Sequence, residues 1–269
     1  MEPRLYDLEV NLDKTLEFIR ECSLCAVDVA VFPECALTGY ALTAEEAASI
    51  AITLPGSETA RLTEACEQAD LEAIVIGTIE RDKEGRLFNS ALLIGPNGLI
   101  ASYRKTHLPF LGVDRYLAAG DDLPGPFETE GGRLGMLICY DLRFPEPSRV
   151  LSLAGAQVIT LPTAWPQAAT LYPDFMAQSR AAENGIFLVA ANQVGGNRGT
   201  RFLGRSVIVS PNGEKLAEGD TEREEILVAE VDLALSDDKN RITVPDEYEL
   251  YLFDDRRPEL YRPLATDQG

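Results

Sequence analysis

The stretch RLGMLICYDLRFPEPSRV, residues 133–150, decides how the rest of the chain is read. Its first part, Leu134 to Ile138, is an apolar run of strand character that ends on Cys139. The character then changes sharply through Tyr140, Asp141, Leu142, Arg143 and Phe144. Pro145 stands where a helix opens, because its fixed φ and missing N–H suit a first helical position. A cysteine between a strand end and a helix start lies where backbone N–H groups favour a thiolate. Such a strand–turn–helix unit presents a reactive side chain at the top of a sheet. Most free cysteines are small core residues instead, so Cys139 needs partners elsewhere in the chain to be read as a nucleophile.

Upstream, residues 11–25 carry Leu12, Leu16, Ile19, Cys22 and Leu24 near helical spacing, with Asn11 as a cap. AVDVAVF (26–32) reads as a buried strand that runs straight into Pro33 and Glu34. A helix fits residues 57–69, and AIVIGTIE (73–80) is the next strand. LFNSALLIGPNGLIASYRK (87–105) is a hairpin about a Gly-Pro-Asn-Gly turn, and FLGRSVIVSPNGEKLAEG (202–219) echoes it with Ser-Pro-Asn-Gly. Between them lie a strand in 155–165, a helix at 167–184 broken around Pro173, and a strand in 185–195. Two halves of similar order imply an α/β fold with two sheets packed face to face and helices outside. No Pro-, Gly- or Ser-rich linker divides the halves, so residues 1–269 read as one domain. Its last part, from about Ser236, is an irregular arm that either straps its own chain or packs on another subunit.

The balance of 44 acidic against 24 basic residues gives a net charge of −20, which makes nucleic acid and anionic membranes poor partners. No apolar run is long enough to span a bilayer, and no basic-then-apolar leader opens the chain. Five cysteines at uneven spacing do not form a disulfide framework, and the Cys22/Cys25 pair has no second pair at zinc-site spacing. A reduced, cytoplasmic protein without a metal site is expected. The single histidine, His107, excludes His-cluster metal sites and points to a carboxylate or a lysine as any general base.

Two further strand ends supply partners for Cys139. Glu34 follows the strand 26–32, and Lys105 follows LIASYR. Lys105 would lower the thiol pKa and stabilise negative charge on a carbonyl oxygen. Glu34 would take the thiol proton and later activate water. The backbone N–H of Tyr140 would be a second oxyanion donor. Each residue alone at a strand end simply faces solvent more often than not; their joint occurrence carries the reading.

VFPECALTGY, YRKTHLP and GMLICYDLRFPE, in this order, resemble the nitrilase or carbon–nitrogen hydrolase superfamily, and RAAENGIFLVAANQVG and GRSVIVSPNGE match its later segments. The resemblance runs from about residue 11 to 264. It implies a four-layer αββα sandwich of two mixed sheets and hydrolysis of a non-peptide C–N bond through a thioester, without metal or organic cofactor. By motif it makes Glu34 the general base, Lys105 the stabiliser of the tetrahedral intermediate and Cys139 the nucleophile. Tyr40, Phe110, Asp114 and Trp165 are the pocket candidates, and homodimers joined partly through the C-terminal arm are implied. The YDLRFPE variant is typical of the amidase-like branches, so a small carboxamide is the expected substrate. A nitrile or an N-carbamoyl amine would use the same site, and a non-catalytic binding module on the scaffold is the reading of another class.

Two departures from the family pattern stand out. The apolar strand that usually opens such chains has no counterpart here, so the fold is expected to lack its N-terminal strand and a start upstream of Met1 is implied. A second glutamate is usual in the loop after the lysine; Gly112 stands about where it is expected, and Asp114 replaces it only if the loop takes a different path.

Overall fold

The computed structural model describes residues 1–265. In chain order the elements are α1 (Leu8–Ser23), β1 (Val29–Val31), α2 (Ala44–Ile50), α3 (Ser57–Ala69), β2 (Ala73–Arg81), β3 (Leu87–Gly95), β4 (Gly98–Arg104), β5 (Phe127–Thr129) and β6 (Gly132–Met136). They continue with α4 (Pro145–Leu153), β7 (Val158–Thr163), α5 (Ala177–Asn184), β8 (Phe187–Asn192), β9 (Gly196–Asn197), β10 (Thr200–Arg201), β11 (Val207–Val209) and β12 (Lys215–Glu218). A short α6 (Ala234–Asp237) and the hairpin β13 (Asn240–Val244) and β14 (Tyr248–Tyr251) complete the described chain.

The strands form two mixed sheets, β1-β2-β3-β4 and β12-β11-β8-β7-β6-β5, with small pairs β9/β10 and β13/β14 beside them. In the first sheet β1 pairs parallel with β2, and β2, β3 and β4 are antiparallel neighbours. In the second, β6, β7 and β8 are parallel, flanked by antiparallel pairings. The period-2 alternation of strands assigns the faces. Ala73 and Val75 of β2, with Ala91 and Leu93 of β3, point into the core that also holds Met136, Ile159 and Leu161 of the other sheet. Ile74 and Ile76, with Leu92 and Ile94, point the opposite way into a second core under Leu12 and Ile19 of α1 and Leu62 and Cys66 of α3. Because both faces of these strands are buried, they read as continuous apolar runs. The result is the expected αββα layering.

Three local expectations are corrected. The first helix starts before Asn11: Asp7 caps it, accepting from the Val10 N–H at 3.3 Å, while Asn11 is buried and holds the carbonyls of Arg4 and Leu37. Of the segment 26–32, Val29–Val31 alone forms the regular strand in register with β2. The helix around Pro173 is not broken but widened, into a π-helical turn at Tyr172–Met176 that runs into α5. The outer edge of β1 borders an open groove of about 780 Å³, walled on its far side by residues 225–231. The first sheet thus ends on a three-residue strand. The root of the C-terminal arm packs on its own chain, where Arg133 pairs with Asp237, and the Lys239 Nζ donates to the Gly185 carbonyl at 2.8 Å. Positions 266–269 of the arm lie outside the described residues.

Candidate active site

Glu34, Lys105 and Cys139 arrive at one end of the sandwich from three different strands. After β1, the Phe32 N–H still pairs with the Val75 carbonyl at 2.7 Å, and Pro33, lacking an N–H, ends the ladder. The Glu34 N–H then crosses to the second sheet and donates to the Thr163 carbonyl at 3.3 Å. Gly77 of β2 makes this turn possible: a Cβ there would lie 2.5 Å from the Cys35 nitrogen and 2.6 Å from the Glu34 Cα. Lys105 directly follows β4, its N–H held by the Asn89 carbonyl at 2.8 Å.

Cys139 follows β6 through Leu137 and Ile138 and adopts φ +45°, an uncommon left-handed conformation for a side chain of its size. It opens a 3₁₀ turn, Cys139–Arg143, that leads into α4 at Pro145, the predicted helix start. Asp141, fully buried, stabilises the strained turn. Its Oδ2 accepts from the Ile138 N–H at 2.9 Å and the Tyr103 hydroxyl at 2.8 Å. Its Oδ1 accepts from the His107 N–H at 3.1 Å and lies 2.8 Å from the His107 Nδ1. The elbow is therefore tied to the residues on either side of Lys105. His107 sets its ring against this carboxylate and stacks on Phe144.

The loop after Lys105 takes the different path that Asp114 required. Gly112, at φ +48°, starts the 3₁₀ turn Gly112–Tyr116, and a Cβ on it would lie 2.3 Å from the Tyr40 ring. No glutamate fits there without displacing Tyr40. The turn buries Asp114 instead, with Oδ2 2.6 Å from the Lys105 Nζ and 2.8 Å from the Tyr40 hydroxyl. Lys105 Nζ also donates to Glu34 Oε1 at 2.7 Å. Asn89, which the sequence reading passed over, donates from Nδ2 to Glu34 Oε1 and to Asp114 Oδ1, each at 2.7 Å. Its only signal was a polar residue inside the apolar strand LFNSALL.

Of the other predicted residues, Trp165 is buried against the site, its backbone N–H accepted by Asn192 Oδ1 at 2.7 Å and its ring stacked on Tyr172 at 5.2 Å. Tyr172 is a second residue that the sequence reading missed; burial, and then its nearness to Cys139, push its hydroxyl up to about 12. Tyr140 follows Cys139 in the elbow, with its ring edge-on to Phe144. Phe110 is not part of the cluster. It is 87% exposed, with the Arg115 guanidinium 4.9 Å above its ring, because the loop turns inward only after it.

Burial alone would lower the Lys105 pKa, but the carboxylates of Glu34 and Asp114 outweigh it and hold the ammonium well above its ordinary value. Burial raises the Glu34 pKa, Lys105 opposes this, and the Asp114 charge adds to it; the outcome is a carboxyl above its usual range. Burial and then the Glu34 charge push the Cys139 thiol well up, against Lys105 and the Ala164 N–H. Lys105 thus acts in the expected direction on the thiol, but burial and the Glu34 charge outweigh it. The resting cysteine is a neutral thiol beside a base, and proton transfer must accompany attack.

The carbon–nitrogen hydrolase family model matches residues 1–240. A nitrilase from Pyrococcus abyssi is 36% identical over 97% of this chain and 96% of its own length. A 2-oxoglutaramate amidase from Bacillus subtilis is 34% identical over 92% of each chain. Among solved structures, a mutant of the amidase from Nesterenkonia sp. AN1 carries the acetamide moiety of fluoroacetamide covalently added at its active-site cysteine. It superposes with a TM-score of 0.80 at 27% identity, covering 97% of this chain and 93% of that one.

Proposed function

The chain belongs to the carbon–nitrogen hydrolase family, and on that premise we propose how its buried cluster hydrolyses a small carboxamide. The enzyme is of the amidase type, like the Bacillus subtilis and Nesterenkonia amidases that it resembles. The observation that supports the mechanism is a base beside a thiol: Glu34 Oε2 is buried with no hydrogen-bond partner among the described residues, and the Glu34 carboxylate lies near enough to raise the Cys139 pKa.

Cys139 Sγ attacks the amide carbon while Glu34 takes the thiol proton. The carbonyl π electrons move onto oxygen. Lys105 has three N–H donors, of which Glu34 Oε1 and Asp114 Oδ2 take two. The third is left for the oxyanion, together with the Tyr140 backbone N–H. As the tetrahedral intermediate collapses, the C–N bond breaks, Glu34 returns the proton to nitrogen, and ammonia leaves a thioester on Cys139. Glu34 then deprotonates a water whose hydroxide attacks the thioester; the C–S bond breaks, the thiolate takes the proton back from Glu34, and the product leaves as a carboxylic acid that ionises in solvent. In this reading Tyr40, Asp114 and Trp165 are the residues nearest the substrate, with Asp114 as an acceptor for an amide N–H.

A panel of short aliphatic amides, screened for ammonia, tests the reading with Cys139→Ala alongside. The expected result is release by the wild type and none above background from the variant. Turnover retained in the variant would refute the assignment. The arm is assigned to a contact with a second copy of the chain, supported by Tyr248, Leu250, Leu260 and Leu264 standing exposed along it.

A further inference from the structure

Asn89 makes no contact that the steps of amide hydrolysis use, yet it is fully buried between the two carboxylates. A carboxylate only accepts hydrogen bonds, so both hydrogens of the Asn89 amide point at Glu34 and Asp114, and its oxygen faces the Cys35 thiol 3.9 Å away. Its backbone is held independently, by the β2–β3 register opposite Ile79 and by the Lys105 N–H on its carbonyl. The amide is thus a fixed two-donor fork on a rigid strand.

Four carboxylate oxygens meet here, and three have partners. Asp114 Oδ1 accepts from Asn89, Asp114 Oδ2 from Lys105 and Tyr40, and Glu34 Oε1 from both Lys105 and Asn89. Among the described residues Glu34 Oε2 has no such donor, which leaves it for the Cys139 thiol that the Glu34 carboxylate influences. We propose that Asn89 is a positioning residue that locks Glu34 with Oε1 filled and Oε2 free, so that one defined oxygen serves as the base toward Cys139. Lys105 alone does not do this, because a single ammonium contact leaves the carboxylate plane free to turn about its last torsion, whereas a second donor on the same oxygen fixes it. The same fork bridges two like charges that would otherwise drive Glu34 and Asp114 apart. Loss of the Asn89 donor also removes one of the contacts that keep Glu34 ionised. The groups facing Glu34 are then Lys105, Asp114, the Tyr40 hydroxyl and the thiols of Cys35 and Cys139.

This inference rests on the amide-hydrolysis reading, and two measurements separate their failures. Wild-type ammonia release tests the reaction; the rate of Cys139 alkylation by iodoacetamide, which needs the same base but no substrate, tests Asn89 directly. Asn89→Ala and the equal-volume Asn89→Asp are compared with wild type. The expected outcome is kcat lower by about ten- to a hundredfold, with KM changed far less. The acid limb of kcat/KM should move to higher pH, and alkylation should slow in parallel. The shift should be larger for Asn89→Asp, which adds a third carboxyl. If whichever variant folds keeps the wild-type acid limb and alkylation rate and merely melts earlier, Asn89 is a packing residue and the proposal is overturned.

Discussion

Glu34 carries opposite demands, and its environment shows which one the fold gives way to. A base must be ionised, but burial and the neighbouring Asp114 both raise its pKa, and Lys105 only partly offsets them. A carboxyl whose folded pKa is raised favours folding most while protonated, and that contribution is lost as pH rises through the folded value. At neutral pH the fold therefore carries the cost of this carboxylate. Glu34→Gln keeps the shape and an oxygen for Lys105 and Asn89 but has no charge to bury. It should melt at a higher temperature than wild type at pH 7, and the gap should close as pH is lowered through the acid limb of activity. Calorimetry at two pH values, with inactivity confirmed by ammonia release, checks this; a variant that melts lower at pH 7 would show that the Lys105 pair is net stabilising. The same balance governs Cys139, whose thiol stays protonated until Glu34 acts, so pH–rate curves should report Glu34 on the acid side.

The elements place these residues by how their strands end, and there the limits of sequence reading show. Glu34, Lys105 and Cys139 were legible because each terminates an apolar run, and a chain that leaves a sheet at one end must deposit its next residue there. The loop from Pro109 to Gly120 was not legible. Its course depends on whether a positive φ at Gly112 turns it inward, and on the Tyr40 ring that closes against that glycine from another part of the chain. Position alone made Gly112 the gap in the site, whereas the turn it starts is what delivers Asp114 to Lys105. Phe110 failed as a pocket residue for the same reason: being near the motif in sequence says nothing about which side of the turn faces in. Asn89 was missed because its partners come from two other segments of the chain. The loop makes a sharp prediction. Gly112→Ala adds left-handed strain of about 1–2 kcal/mol and a Cβ inside the Tyr40 ring, with overpacking of about 1–3 kcal/mol. The turn should shift and carry Asp114 off Lys105, so kcat/KM on the best amide should fall more than tenfold while Cys139 alkylation falls much less. Equal losses in both would place the damage at the elbow instead.

At the scale of the whole molecule, the two sheets and their helices enclose the chemistry without the last part of the chain, and the family match ends at residue 240. Beyond that point stands the β13–β14 hairpin, with its root fixed and its outer surface uncovered. Lys239 and Arg149 both approach the Phe253 ring at 5.4 Å, which anchors the arm beside α4 and α5. Ile242, Val244, Tyr248 and Leu250 on β13 and β14, then Leu260, Tyr261 and Leu264, are all 40% exposed or more. Exposed apolar residues scattered singly are ordinary, but a run of them along one segment supports the proposed contact with a second copy of the chain. A net charge of −20 would keep copies apart unless an apolar contact offsets the repulsion. Truncation after Lys239 should therefore lower the mass measured by light scattering from that of an oligomer to that of one chain, and the effect should be mimicked by Tyr248→Asp with Leu250→Asp. Raising salt should strengthen association of the full-length chain, since screening removes the like-charge term and leaves the apolar one. A full-length protein that runs as a monomer at every salt concentration, with truncation only lowering its melting temperature, would make the arm a strap on its own subunit.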